Sequence, residues 1–133
     1  MIVIAPTLYQ RIGGHDGIQR LLRPFYMDVR QHAVLGPIFN ARIRDWPAHL
    51  EKIGEFWARQ TGGPSQYSGG FVGAHQSLGL QPEHFGLWLA LWDFSSRRQL
   101  PLTEADEISK LAHRIGEQLQ RIVGGLGGLQ LEK

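Results

Sequence analysis

Apolar residues recur every three or four positions along most of this sequence, which is the periodicity of amphipathic helices. The pattern covers residues 16–29, 45–57, 82–92 and 103–123. No segment shows the sustained alternation of apolar and polar residues that marks a half-buried strand. The sequence therefore predicts one all-α domain with a core over about residues 7–123. Glycines at 124–125 and 127–128 predict the end of the last helix and a flexible tail over 124–133.

Local signals predict where these helices begin and bend. Asp16, Asp45 and Thr103 each precede or open an apolar stripe and are the predicted N-caps, because their side-chain oxygens accept from free backbone N–H groups. Pro24 lies inside the first stripe and predicts a kink or a junction between two short helices. Residues 35–40 are typical of a turn or a single helical turn.

The stretch from residue 61 to 73 holds five glycines, one proline and two serines. This composition predicts a loop, and loops of such length in small domains are often functional. Residues 72–78, which follow it, predict a short helix.

Composition excludes several classes of protein. The 133 residues include no cysteine, which rules out disulfides, thiolate metal sites and cysteine nucleophiles. Fourteen basic and twelve acidic residues leave a net charge of +2, too small and too mixed to indicate nucleic-acid binding. No apolar run approaches the ~18 residues of a membrane span, and the first residues do not form a signal peptide. We expect a cytoplasmic protein without membrane contact.

Common catalytic motifs are absent from the sequence. It has no His-Glu-x-x-His zinc motif, no Gly-x-Ser-x-Gly nucleophile elbow and no phosphate-binding loop. A Ser-His-Asp site is neither indicated nor excluded. The more informative residues are Tyr26, His49 and His75. His49 lies within an apolar stripe, and His75 follows the glycine-rich loop.

These side chains have two interpretations. A histidine on an apolar helix face is more often a hydrogen-bonded core residue than a ligand, and Tyr26 is more often a core tyrosine. Lys52 would ordinarily be solvated. Alternatively, Tyr26, His49 and His75 line one apolar cavity, which suits a large flat cofactor with a central metal such as haem.

The order and spacing of several motifs resemble those of the truncated haemoglobins over about residues 7–123. Ile-Gly-Gly at 12–14 and Phe-Tyr at 25–26 resemble the opening of that family. Leu-Gly-Pro-Ile-Phe at 35–39 resembles its corner against the haem, and residues 46–57 resemble its distal helix. The glycine-rich loop and the region from His75 to Phe85 resemble its proximal side.

Features of two branches of the family are present. The pairing of His49 with Trp88, the turn at 36–39 and the aromatic pattern of residues 46–57 resemble group III. The glycine pairs at 13–14 and 62–63 are more similar to groups I and II. Taken together, the sequence is most similar to group III.

The resemblance implies a globin-like two-over-two helical sandwich around haem b. His75 becomes the proximal iron ligand, and Tyr26, His49 and Trp88 become distal residues that stabilise a bound ligand. His49 is also a candidate distal iron ligand. Lys52 becomes the partner of a haem propionate. The residues that the resemblance places against the haem are Phe39, Ile53, Phe56, Phe85 and Trp88.

The implied function is binding of O2, NO, CO or other small haem ligands, with roles in oxygen transport, O2/NO chemistry or peroxide chemistry. Turnover of NO or peroxide would need a separate reductase, because the chain has no flavin or nicotinamide fingerprint. One alternative is a haem-based gas sensor or ligand-binding module that acts through a partner without turnover. Another is a helical interaction protein without haem. The oligomeric state stays open.

Overall fold

The computed structural model describes residues 5–67, 69 and 80–131, with side chains described as far as residue 122. Within these ranges the chain forms six α-helices and no strand. The prediction of an all-α fold is confirmed. The helices are α1 (Leu8–Arg11), α2 (Gly14–Gln31), α3 (Leu35–Arg42), α4 (Trp46–Gln60), α5 (Pro82–Gln99) and α6 (Leu102–Leu131).

The first two helices are joined by a tight glycine corner. Thr7 caps α1 in a reciprocal capping box with Gln10. Gly13 then adopts a φ of +102°, which a side chain would strain, and becomes the N-cap of α2. The prediction that Asp16 is this cap was wrong. Asp16 lies in the first turn, where its negative charge interacts favourably with the positive end of the helix dipole.

Proline 24 does not split α2, which runs as one helix of 18 residues. Of the two outcomes predicted at this position, the junction between two short helices is therefore wrong. Residues 35–40 belong to the two-turn helix α3 rather than to a turn or a single helical turn. Tertiary packing explains this difference, because Leu35 and Phe39 are both buried and each anchors one turn.

The helix boundaries in the second half of the chain differ in part from those predicted. Asp45 is confirmed as the cap of α4, since its Oδ1 accepts from the Ala48 N–H at 3.1 Å. Thr103 is not a cap, because α6 begins at Leu102 and the Ala105 N–H donates to the Pro101 carbonyl at 2.9 Å.

The last helix also differs from its predicted end. The α6 backbone stays helical through the glycines and reaches Leu131. Glycine lowers helix propensity by about 1 kcal/mol per residue, yet it still forms intrahelical hydrogen bonds. The flexibility of the tail stays a prediction. The short helix predicted over 72–78 lies outside the described residues.

Two pairs of helices build the domain. α4 packs on α2 and α6 packs on α5, while α2 and α5 join the two pairs. Phe25 of α2 and Trp92 of α5 are fully buried at this junction. Their rings meet edge-on with centroids 4.9 Å apart. This arrangement places the residues at the facing sides of α2, α4 and α5 around a common space. None of the described helices is long and apolar enough to cross a membrane.

Candidate functional site

An internal cavity lies where α2, α3, α4, α5 and α6 converge. Apolar side chains form most of its wall, and the loop after α4 contributes to one side. Of the nine site residues predicted from the sequence, the structure brings eight to this cavity: Tyr26, Phe39, His49, Lys52, Ile53, Phe56, Phe85 and Trp88. The ninth, His75, lies outside the described residues, so its role as the proximal ligand stays a prediction.

Tyr26 is a deeply buried side chain of the cavity wall, with 5% of its surface exposed. The neighbouring Phe25 ring packs edge-on against it at 4.8 Å. Burial raises the pKa of Tyr26 well above its ordinary value, and a hydrogen bond from the Trp88 side chain opposes this shift with a smaller effect. Tyr26 therefore stays protonated at physiological pH and keeps an O–H donor beside the cavity.

Trp88 reaches the cavity from α5, and a column of indoles holds its ring. The Trp88 and Trp92 rings stack 5.2 Å apart at an angle of 10°. Trp92 stacks in turn on Trp57 of α4, with centroids 4.5 Å apart. Phe25 contacts Trp88 edge-on at 5.0 Å. Because an indole N–H can only donate, this fixed ring supplies a donor of set direction to the Tyr26 hydroxyl.

His49 lies on α4 opposite Tyr26. Its ring meets the Tyr26 ring edge-on at 6.0 Å and the Trp46 ring edge-on at 5.4 Å. The Asp45 cap fixes the start of this helix and so the direction of His49, one turn later. The imidazole is half-buried and faces the same cavity as Tyr26 and Trp88. Three polar side chains from three helices thus converge on one apolar space.

Lys52 stands at the solvent side of this site. It follows His49 by three positions on α4, which places both residues on the same helix face. Lys52 is exposed and still lines the cavity. A cation at the edge of an otherwise apolar space suits the carboxylate end of an amphipathic ligand. Among the described residues, no group of three or more His, Cys, Asp or Glu side chains could hold a metal ion by itself.

Comparison with known proteins decides the family. The profile of the bacterial-like globin family matches residues 7–121. A group 3 truncated haemoglobin of Campylobacter jejuni is 33% identical over 118 residues, which cover 85% of this chain and 93% of that protein. The chain belongs to the truncated haemoglobins.

Solved structures agree with this assignment. The crystal structure of the group III truncated haemoglobin from Campylobacter jejuni superposes with a TM-score of 0.78 at 32% identity, covering 83% of this chain and 91% of that one. A thermostable haemoglobin from the actinobacterium Thermobifida fusca has a TM-score of 0.74 at 22% identity, covering 86% and 96% of the two chains. This second likeness supports the globin fold alone. The predicted two-over-two sandwich and the likeness to group III are both confirmed.

Haem b and small gaseous ligands are what membership of this family implies. The residues of this truncated haemoglobin fit such a cofactor. Its cavity wall is formed largely by apolar side chains such as Phe39, Ile53 and Phe85, which suit the face of a macrocycle. The polar groups are few and placed apart, with Tyr26, His49 and Trp88 inside and Lys52 at the edge.

Several residues of the cavity were not predicted as site residues. Trp57, Tyr67 and His84 line it, as do the α6 residues Ala112, Ile115, Gly116 and Leu119. The helical stripe of α6 identified a buried face but not what that face covers. An isolated aromatic residue in a glycine-rich loop was the available signal for Tyr67. His84 also closes a capping box, in which its Nδ1 accepts from the Gln81 N–H at 2.9 Å.

Proposed function

We propose that this truncated haemoglobin binds O2 and other small diatomic ligands, including NO and CO, in a polar distal pocket formed by Tyr26, His49 and Trp88. We also propose O2/NO or peroxide chemistry in the cytoplasm, with electrons from a separate reductase. His75 is the proposed proximal iron ligand. Haem b, when bound, supplies an iron atom that binds such ligands and exchanges electrons with them.

The observation that carries this proposal is the convergence of Tyr26, His49 and Trp88 from three helices on one largely apolar cavity. The indole donates to the Tyr26 oxygen, so the Tyr26 proton remains available for a second acceptor. Burial keeps that proton in place by raising the pKa of Tyr26. The Tyr26 hydroxyl is held in place before a ligand arrives, and a fixed donor stabilises developing negative charge with little reorganisation.

His49 adds a third polar group with two proposed uses. Its ring nitrogen can donate to a ligand held near Tyr26, or it can bind the metal directly as a distal ligand. The edge-on contact with Trp46 restrains the ring on one side. The visible absorption bands of the haem-loaded protein would separate these uses, because direct binding of His49 to the metal would change the bands and hydrogen bonding to a ligand would not.

The apolar residues have a different proposed task. Phe39, Ile53, Phe56 and Phe85, together with the Trp88 ring, pack against the macrocycle and keep water from the pocket. A drier pocket strengthens the hydrogen bonds of Tyr26 and Trp88. Lys52 pairs with a haem propionate at the solvent edge. Converging donors favour slow ligand release, which suits ligand activation better than rapid oxygen transport.

Absorption spectra of the purified protein, in ferric, reduced and CO-bound forms, test haem binding. We expect a Soret band that shifts with CO in the wild type and is weakened or altered in His75→Ala. Absence of a Soret band after addition of haemin would overturn the proposal.

Dissociation of O2 tests the distal pocket. Removing one strong donor by Tyr26→Phe or Trp88→Phe should raise the O2 off-rate about tenfold, measured by stopped-flow absorbance. Ser96→Ala is the matched control, because it removes a fully buried hydroxyl of α5 that does not line the cavity. Off-rates that are unchanged in both pocket variants would contradict the polar-pocket account. Steady-state turnover of NO or peroxide with an electron donor then separates an enzyme from a gas sensor.

A further inference from the structure

A chain of polar contacts runs outside the distal pocket and joins three helices. The hydroxyl of Tyr9 in α1 bonds to Nδ1 of His15 in α2. The other ring nitrogen of His15, Nε2, lies 2.8 Å from Oε2 of Glu55 in α4. The imidazole of His15 thus bridges the Tyr9 hydroxyl and the Glu55 carboxylate.

Glu55 also holds the loop that follows α4. Its Oε1 accepts from the Gln66 N–H at 2.7 Å, and its carbonyl accepts from the Ser65 hydroxyl at 2.5 Å. The same Ser65 oxygen accepts from the Tyr67 N–H at 3.0 Å. Ser65 and Gln66 are thus bonded directly to Glu55, and Tyr67 is connected to it through the Ser65 hydroxyl. The rest of the Glu55 carboxylate is held by His15.

This attachment determines where Tyr67 lies. The Tyr67 ring packs edge-on against Phe56 at 5.3 Å, and both rings line the cavity. Phe56 follows Glu55 directly in α4, so the loop and the ring contact are anchored at adjacent positions. Removal of the Glu55 side chain would leave the Ser65 bond to the backbone carbonyl and the ring contact in place, but would release the Gln66 N–H directly beside Tyr67.

We infer that Glu55 is a positioning residue, held by His15 and Tyr9, that fixes Tyr67 as a wall of the cofactor cavity and thereby slows the loss of haem. Glu55 does not line the cavity, so it acts through the loop. The inference rests on the proposed function, because it takes the cavity as the haem site. It adds a role for four residues, Tyr9, His15, Glu55 and Tyr67, that ligand chemistry at Tyr26 does not use.

Haem loss from the ferric haem-loaded protein to an excess of a haem-scavenging apoglobin measures this role. Glu55→Ala should raise the loss rate about tenfold, the effect of losing hydrogen bonds to a charged group. Glu55→Gln should restore most of the wild-type rate, since an amide oxygen can still accept from the Gln66 N–H. Gln66→Pro removes that N–H without changing α4, and should raise the rate as Glu55→Ala does.

A double-mutant cycle tests whether Glu55 acts through Tyr67. Tyr67→Leu alone should raise the loss rate, and adding Glu55→Ala to it should change the rate by less than about twofold. Independent, multiplying effects would overturn the inference. Glu107→Ala is the control: Glu107 pairs with Arg11 of α1 at 2.6 Å, away from the cavity, and its loss should leave the rate unchanged.

The possible failures can be told apart. A wild-type protein that takes up no haemin overturns the proposed function and this inference together. A protein that holds haemin, and whose Glu55→Ala and Gln66→Pro variants lose it at the wild-type rate, overturns this inference alone. Unchanged O2 off-rates in these variants, beside faster haem loss, support a role in positioning rather than in ligand chemistry.

Discussion

The cavity is bounded by two regions that are stabilised in different ways. On the side of α2, α4 and α5, three stacked indoles and Phe25 form a close-packed aromatic core, with Trp92 fully buried at its centre. On the side of the loop after α4, a chain of polar contacts from Tyr9 through His15 and Glu55 to Gln66 holds the loop in place. The first region depends on burial and shape, whereas the second depends on a few partly exposed polar contacts.

This difference matters for ligand chemistry. The aromatic core fixes the donor direction of Trp88, so changes there should alter both stability and the distal pocket. The polar chain fixes a wall without touching the distal donors, so changes there should alter retention of the cofactor. We therefore expect the largest effects on stability in the aromatic core and the largest effects on cofactor retention in the polar chain.

The largest effect on stability is expected at Trp92, the centre of the aromatic core. Trp92→Ala should lower the free energy of unfolding by about 3–5 kcal/mol, since it removes a buried ring that contacts Phe25, Trp57 and Trp88. The Trp92 N–H bonds to no group in the part of the chain that the structure describes, so packing accounts for the loss. Urea unfolding at equal haem loading measures the change.

Phe94→Ala is the matched control on the same helix. Phe94 is 53% exposed, and its substitution should change stability by no more than about 0.5–1 kcal/mol, including its contact with Arg98. Equal losses for the two variants would show that burial does not distinguish these aromatic residues.

The two regions also differ in how far the sequence predicts them. Helical periodicity identified the apolar faces that bring Tyr26, His49 and Trp88 together, because spacing within one helix decides which residues share a face. The chain through Tyr9, His15 and Glu55 was not predicted, since its members come from separate segments and no local pattern links them. The ends of α3 and α6 were missed because packing and differences of about 1 kcal/mol decide where a helix stops.

An intermediate effect is expected on the polar side. A Cβ on Gly63 would overlap the ring of Tyr9, which packs directly over this position. Gly63→Ala should therefore destabilise the protein by about 1–3 kcal/mol and loosen α1, by forcing the ring away. Gly86→Ala is the control, because no atom of the described residues lies within 4 Å of its added methyl group in α5. It should stabilise the protein by about 0.5–1 kcal/mol. Thermal unfolding measures whether each variant is more or less stable than the wild type. Destabilisation by both substitutions would contradict the packing argument.

The smallest expected effect is the contribution of the buried Tyr26 hydroxyl to the pH dependence of the free energy of unfolding. In the unfolded chain Tyr26 loses its proton near its ordinary pKa of 10.0, while burial raises the pKa of the folded form well above that value. As the pH rises past about 10, the unfolded state binds fewer protons than the folded state, so the free energy of unfolding falls.

Tyr26→Phe removes this contribution, and the other tyrosines are common to both proteins. Urea unfolding from pH 8 to pH 11 should show that the wild type loses stability more steeply than Tyr26→Phe above pH 10, with parallel curves below it. Parallel curves over the whole pH range would mean that Tyr26 ionises as readily in the folded protein as in the unfolded chain. A hydroxyl that is open to water in this way could not be the fixed donor of the distal pocket.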